Sequence, residues 1–147
     1  MNRSNVIRML TYILLFVGIY KGTAGIAKKD HHQGLRDFLS IGVIPTSLLA
    51  AFRHMFLGGQ IIKGGRFFEF EAGGANLGIG IAGLVAFLKN MNNNVMGIIF
   101  LIYAIYLLMG AVAWAMFKPK GKMVLWMVKF LSTTAALGYF SYVAFTH

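Results

Sequence analysis

Five residues of this chain have side chains that could do chemistry in places where such groups are costly. Glu69 and Glu71 lie two positions apart, Asn76 follows them, and Arg53 and Lys129 stand within or at the edge of long apolar stretches. An ionisable group carried into hydrocarbon is either a paired structural charge or a candidate ion or proton site. An acid in the first turn of a helix has a simpler use, because it complements the positive end of the helix dipole. Asn76 can hydrogen-bond across a helix interface or act as a ligand. The histidines offer less. His31-His32 adjoins Asp30, but no second set of ligands at metal-binding spacing accompanies them, and no metal or cofactor is expected. His54 beside Arg53 reads as a headgroup contact. The absence of cysteine removes thiol catalysis, thiolate metal sites and disulfides together.

The elements that must position these residues follow from composition. Of 147 residues, 58% are hydrophobic, 12% are charged and 18 are glycine. Mean hydropathy is +0.69. Soluble domains carry roughly twice that share of charge, and a single domain of this length cannot hide so much apolar surface. The excess must face lipid. The net charge of +10 would suggest nucleic acid in a soluble protein. Here the cations sit at the ends of apolar runs, the pattern of topology signals and anionic headgroup contacts. The expected surroundings are therefore a lipid bilayer with anionic headgroups, and not nucleic acid.

Five runs are long enough, or nearly so, to cross a membrane as helices: Val6–Ala27, Phe38–Leu57, Ala72–Leu88, Val95–Phe117 and Met123–Phe145. The expectation is an all-α integral membrane bundle of five transmembrane helices, four being possible, in one domain covering 1–147. The first run has a rival reading as a removable signal peptide, since Arg3 and Arg8 precede its apolar centre and Thr23-Ala24-Gly25 are small. Lys28 to Gly34 reads as a loop with Asp37 capping the second helix. Gly58-Gly59 and Gly64-Gly65 mark the second loop, Asn90 to Asn94 a tight turn, and Pro119 the end of the fourth helix. Trp114 and Trp126 flank that last loop as an aromatic belt would.

With five spans, Arg3, Arg8, Arg53, Lys63, Arg66, Lys118, Lys120, Lys122 and Lys129 fall on the N-terminal side, nine cations against five on the other. This bias predicts a cytoplasmic N-terminus. It also brings Arg53, Glu69, Glu71 and Lys129 to one leaflet. Glu71 is expected to pair with Lys129 or Arg53 as a tie between helices, because a lone buried charge is the expensive state. In the third run Gly74, Gly78, Ala82 and Ala86 recur every four residues, a smooth stripe that would let helices approach closely. The third helix is therefore expected to be the most enclosed. Gly18 and Gly22 form a weaker version of the same signal.

The segment from Phe67 to Gly78 carries an aromatic–acidic–glycine–Ala-Asn-Leu pattern, with Glu71, Gly73, Ala75, Asn76 and Leu77 as its matching positions. In this it resembles a family of small, multi-span, mostly bacterial membrane proteins of unknown function, departing at Ala72, where a larger aliphatic residue is expected. The resemblance implies a multi-span helical fold and no activity.

Several activities lack their residues. The glycine pairs have neither a preceding strand nor a Gly-Lys-Ser/Thr ending, no potassium-filter sequence occurs, and no paired broken helices mark two related halves. No catalytic constellation is found, so an enzyme is not expected. The leading expectation is a structural or accessory component of a larger membrane assembly, either a membrane enzyme complex or the internal membrane of a virus. Its partners would be other membrane proteins or copies of itself. The alternative is a small channel or transporter with a polar path past Glu71 and Asn76.

Overall fold

The computed structural model describes residues 3–57, 66–117 and 123–147. Among these residues the chain forms five helical rods and no strand: α1 (Arg3–Ala27), α2 (His31–Leu57), α3 (Arg66–Leu88), α4 (Asn93–Phe117) and α5 (Met123–Thr146). Arg3–Ala27, His31–Leu57, Glu69–Leu88 and Asn93–Ala113 are each long and apolar enough to cross a membrane. The protein is thus an all-α integral membrane protein.

The second helix begins earlier than its apolar run. Asp30, not Asp37, is its N-cap, and the Asp30 carboxylate accepts from the Gln33 backbone N–H at 3.1 Å. Asp37 lies inside the helix and accepts from Gln33 Nε2 at 2.6 Å. The apolar run misses this first stretch because polar residues occupy helical positions before the span turns hydrophobic. Lys29 joins α1 to α2 with a φ of 64°.

Within α2, α-helical stretches His31–Asp37 and Ile44–Phe52 alternate with π-helical turns at Phe38–Val43 and Arg53–Leu57. Pro45 explains the first π turn. It has no N–H to donate and its ring crowds the carbonyl one turn back, so the helix widens before it. Thr46 Oγ1 then donates to the carbonyls of Gly42 at 2.7 Å and Val43 at 3.1 Å, covering acceptors where the ladder is irregular.

The sequence carries no linker and reads as one domain; its contacts gather into two compact units, Met1–Met91 and Asn92–His147. In the first unit α1 and α3 both run antiparallel to α2. α1 meets α2 through glycine, for a Cβ on Gly18 would stand 2.5 Å from Gly42 Cα and one on Gly25 would stand 2.6 Å from Gly34 Cα. α3 meets α2 through Gly73, Gly80 and Gly83, which lie against Met55, Leu48 and Ile44.

Packing within this unit therefore uses a different face of α3 from the Gly74, Gly78, Ala82 and Ala86 stripe. Among the described residues Gly74 and Gly78 have nothing outside their own helix backbone within 4 Å of a Cβ position, Ala82 is exposed, and of the four only Ala86 is buried. At 100° per residue a four-residue repeat drifts about 40° at each step, so twelve residues turn the stripe through about 120°. The seven-residue series Glu69, Asn76, Gly83 drifts only about 20° per step and keeps to one side. The most enclosed span of the unit is α2, not α3. The fainter signal, Gly18 and Gly22, marks the buried residues of α1.

In the second unit α4 and α5 form an antiparallel pair. Gly97 admits Ala144, Ser141 Oγ donates to the Gly97 carbonyl at 3.0 Å, and Phe100 meets Phe140 edge to face at 6.3 Å between centroids. The Gly58-Gly59 and Gly64-Gly65 loop, with Lys63, and the Lys118 to Lys122 loop with Pro119 lie outside the described residues, as do the side chains of Arg66, Trp114 and Trp126.

Candidate functional site

The first unit holds polar side chains in three places along its helices. At the end where α1 begins and α2 finishes, Arg8, Arg53, His54 and Glu69 come from three helices. α1 packs against the π turn Arg53–Leu57, and that turn in turn packs against α3. Arg53 Nη2 lies 2.7 Å from His54 Nε2. A guanidinium can only donate. His54 Nε2 must therefore be the acceptor, which places the ring proton on Nδ1.

Glu69 is the enclosed acid. It is 7% exposed, on the face of α3 that meets α2, and its Oε2 has no hydrogen-bond partner. Glu71, two residues on, is rotated by about 200° and is exposed. This corrects the expectation that Glu71 is the acid turned inward. The contact of Arg53 described above runs to His54, and Lys129 belongs to the second unit, where the Oγ atoms of Ser132 and Thr133 donate to its carbonyl at 3.0 Å each.

Midway along α3, Asn76 is 3% exposed and its Nδ2 donates to the Ala72 carbonyl at 2.8 Å. On α2, Ser47 is wholly buried with no partner for its Oγ. It sits between Ile44 and Leu48, residues that touch α3. A serine in an apolar run gives no periodic signal, so only tertiary packing singles it out.

At the opposite end, Arg36 joins α2 to the end of α3. Its Nη1 donates to Asn90 Oδ1 and lies 3.5 Å from the Phe87 carbonyl, while the guanidinium sits 4.6 Å above the Phe87 ring. His32 Nε2 stands 3.5 Å from the same Asn90 Oδ1. Asn90 can offer that oxygen because it ends α3 with a φ of 49°, a conformation that asparagine tolerates better than most residues. The sequence marks Asn90 as a turn residue, and this tie across 54 positions has no sequence signature.

Chemically, the first unit offers a donor-rich cationic corner, an enclosed carboxylate and two buried polar side chains. Among the described residues no three His, Cys, Asp or Glu side chains gather as a metal site would need. No family model matches the chain, and no curated protein or solved structure matches it.

Proposed function

We propose that this integral membrane protein is a structural or accessory component of a larger membrane assembly, in a bacterial inner membrane or a viral internal membrane, with its N-terminus cytoplasmic. The observation that carries this reading is the smooth face of α3. Among the described residues no atom outside their own helix backbone stands within 4 Å of a Cβ position on Gly74 or Gly78, Ala82 beside them is exposed, and Gly73, Gly80 and Gly83 make the packing contacts with α2. Helices in lipid associate through such small-residue faces, where backbones approach closely and dispersion contacts accumulate. A second face of this type, left over after the unit's own contacts are made, suits another transmembrane helix, from other membrane proteins or from another copy of this chain. The excess of cations on the N-terminal side supports the orientation.

Gly78→Leu tests the reading. It is expected to leave thermal stability within about 0.5 kcal/mol of the parent, as surface changes do, while abolishing co-purification of partners in mild detergent. Unchanged co-purification would count against the assembly role.

One observation favours a channel or transporter as the second reading: Glu69 and Asn76 lie seven residues apart on the enclosed face of α3, and the Glu69 Oε2 has no partner. Its path would pass Glu69 rather than Glu71. Flux into liposomes that falls with Glu69→Gln and not with Glu71→Gln would support it.

A further inference from the structure

We propose that the carboxyl of Glu69 is a proton-binding site, and that the species handled by the polar groups between α2 and α3 is the proton rather than a metal cation or a larger solute. The inference rests on the channel or transporter reading, with its path past Glu69 and Asn76, and goes beyond it by naming what moves.

Glu69 is the group that takes the proton. It is 7% exposed, its Oε2 is buried, and nothing donates to that oxygen. An enclosed carboxylate oxygen without a donor is a costly state. A hydronium ion that reaches it gives its proton to Oε2 and leaves as water, the carboxylate becomes a neutral acid, and the reverse step returns the proton. This end of the unit also holds Arg53 and His54 on the π turn that packs against α3, Arg3 and Arg8 on α1, and the exposed Glu71 on α3 itself. Positive charge favours the ionised carboxyl and burial favours the neutral one. A group that takes up and releases a proton needs support for both.

Spacing and clearance decide between a proton and a metal cation. Glu69 and Asn76 lie seven residues apart on one face, about 10 Å along the helix axis, and helical side chains lean the same way, toward the N-terminus. Oxygen ligands of a hard cation stand about 2.0–2.6 Å from it, so two of them lie within about 5 Å of each other. Glu69 and Asn76 are too far apart to share one ion. Clearance is smaller still. A Cβ on Gly73, Gly80 or Gly83 would stand 2.6, 2.7 or 2.9 Å from Met55, Leu48 or Ile44. An interface without room for a methyl group has none for a hydrated ion. A proton needs no such room, because it passes between oxygens along hydrogen bonds. Ser47 supplies a further oxygen along the same interface. It is wholly buried between Ile44 and Leu48, its Oγ has no partner, and a hydroxyl both accepts and donates.

The test uses the full chain reconstituted into phosphatidylcholine liposomes, with one internal dye for pH and another for sodium. A potassium gradient with valinomycin supplies the driving potential. Proton uptake should exceed that of empty liposomes, and sodium entry should not. Glu69→Gln should abolish the uptake, Glu69→Asp should keep part of it, Ser47→Ala should slow it, and Glu71→Gln should leave it unchanged. Circular dichroism verifies folding of each variant. Dicyclohexylcarbodiimide, an apolar reagent that adds whole to a protonated carboxyl, should modify Glu69 in the unmutated chain and stop its uptake, a result that depends on the folding of no variant. Sodium entry that matches proton uptake leaves the path in place and overturns the proposal alone. Absence of both fluxes overturns the path and the proposal together. Uptake that survives Glu69→Gln, or carbodiimide attached to Glu71 in place of Glu69, also overturns the proposal.

Discussion

Gly18 and Gly42 meet backbone against backbone, so that a Cβ built on Gly18 would stand 2.5 Å from both the Cα and the amide nitrogen of Gly42. No side chain lies between α1 and α2 at this level. The contact consists of dispersion between close-packed backbones, the form of helix association available in lipid. Neither backbone can yield locally, and a methyl group has to part the helices. Gly18→Ala should therefore destabilise the protein by about 1–3 kcal/mol, as added bulk does in a well-packed core. Gly78→Ala, with nothing to meet, should stay within about 0.5 kcal/mol of the parent. Thermal melts of the two variants in one detergent make the comparison, and equal stability would remove the Gly18–Gly42 contact from the account.

Because the chain has no cysteine, single cysteines report accessibility without background. Glu69→Cys should react with a membrane-impermeant maleimide far more slowly than Glu71→Cys, since Glu69 faces α2 and Glu71 faces outward. Comparable rates at the two positions would mean that α3 is rotated about its axis relative to the arrangement described.

Asn90 combines a left-handed backbone with an acceptor for Arg36. Asn90→Gly keeps the backbone favourable and loses only the side-chain contact, whereas Asn90→Ala loses the contact and also carries the cost of positive φ, about 1 kcal/mol or somewhat more. The expected order of stability is Asn90, then Gly, then Ala, with the last two about 1 kcal/mol apart. Denaturation midpoints that place Ala above Gly would rule out the backbone part of this argument.

The number of crossings sets the sides on which the termini lie. Five rods that all cross place the N-terminus and C-terminus on opposite faces, and four crossings place them on one face. Ser4→Cys and Thr146→Cys, labelled from one side of sealed vesicles, should react in opposite orientations. Reaction of both from the same side would show that one of the rods does not cross.

How much was legible in advance depended on whether the signal was local. The helices were legible because runs of about twenty apolar residues have few alternatives in a bilayer, where every backbone group must find its partner within the helix. The start of α2 was not, since Asp30 and Asp37 both have the chemistry of a cap and only the backbone geometry at Gln33 selects between them. Glu69 and Glu71 were equivalent by type and neighbourhood. Their difference is one of helix rotation, and rotation is decided by what packs on the other side.

The amino-acid sequence by itself determined that this protein is helical, that its helices belong in lipid, and where most of them lie, because hydropathy and length act residue by residue. Tertiary structure alone decided which glycines touch. The regular stripe at Gly74 and Gly78 faces away from the contacts of its own unit, and Gly18, Gly42, Gly73, Gly80 and Gly83 make them. The reason is geometric: a small residue permits close approach wherever it stands, but an approach needs a partner surface. The partners Gly42, Met55, Leu48 and Ile44 are brought into place only when α2, with its two π turns, sets the rotation of the helices on either side.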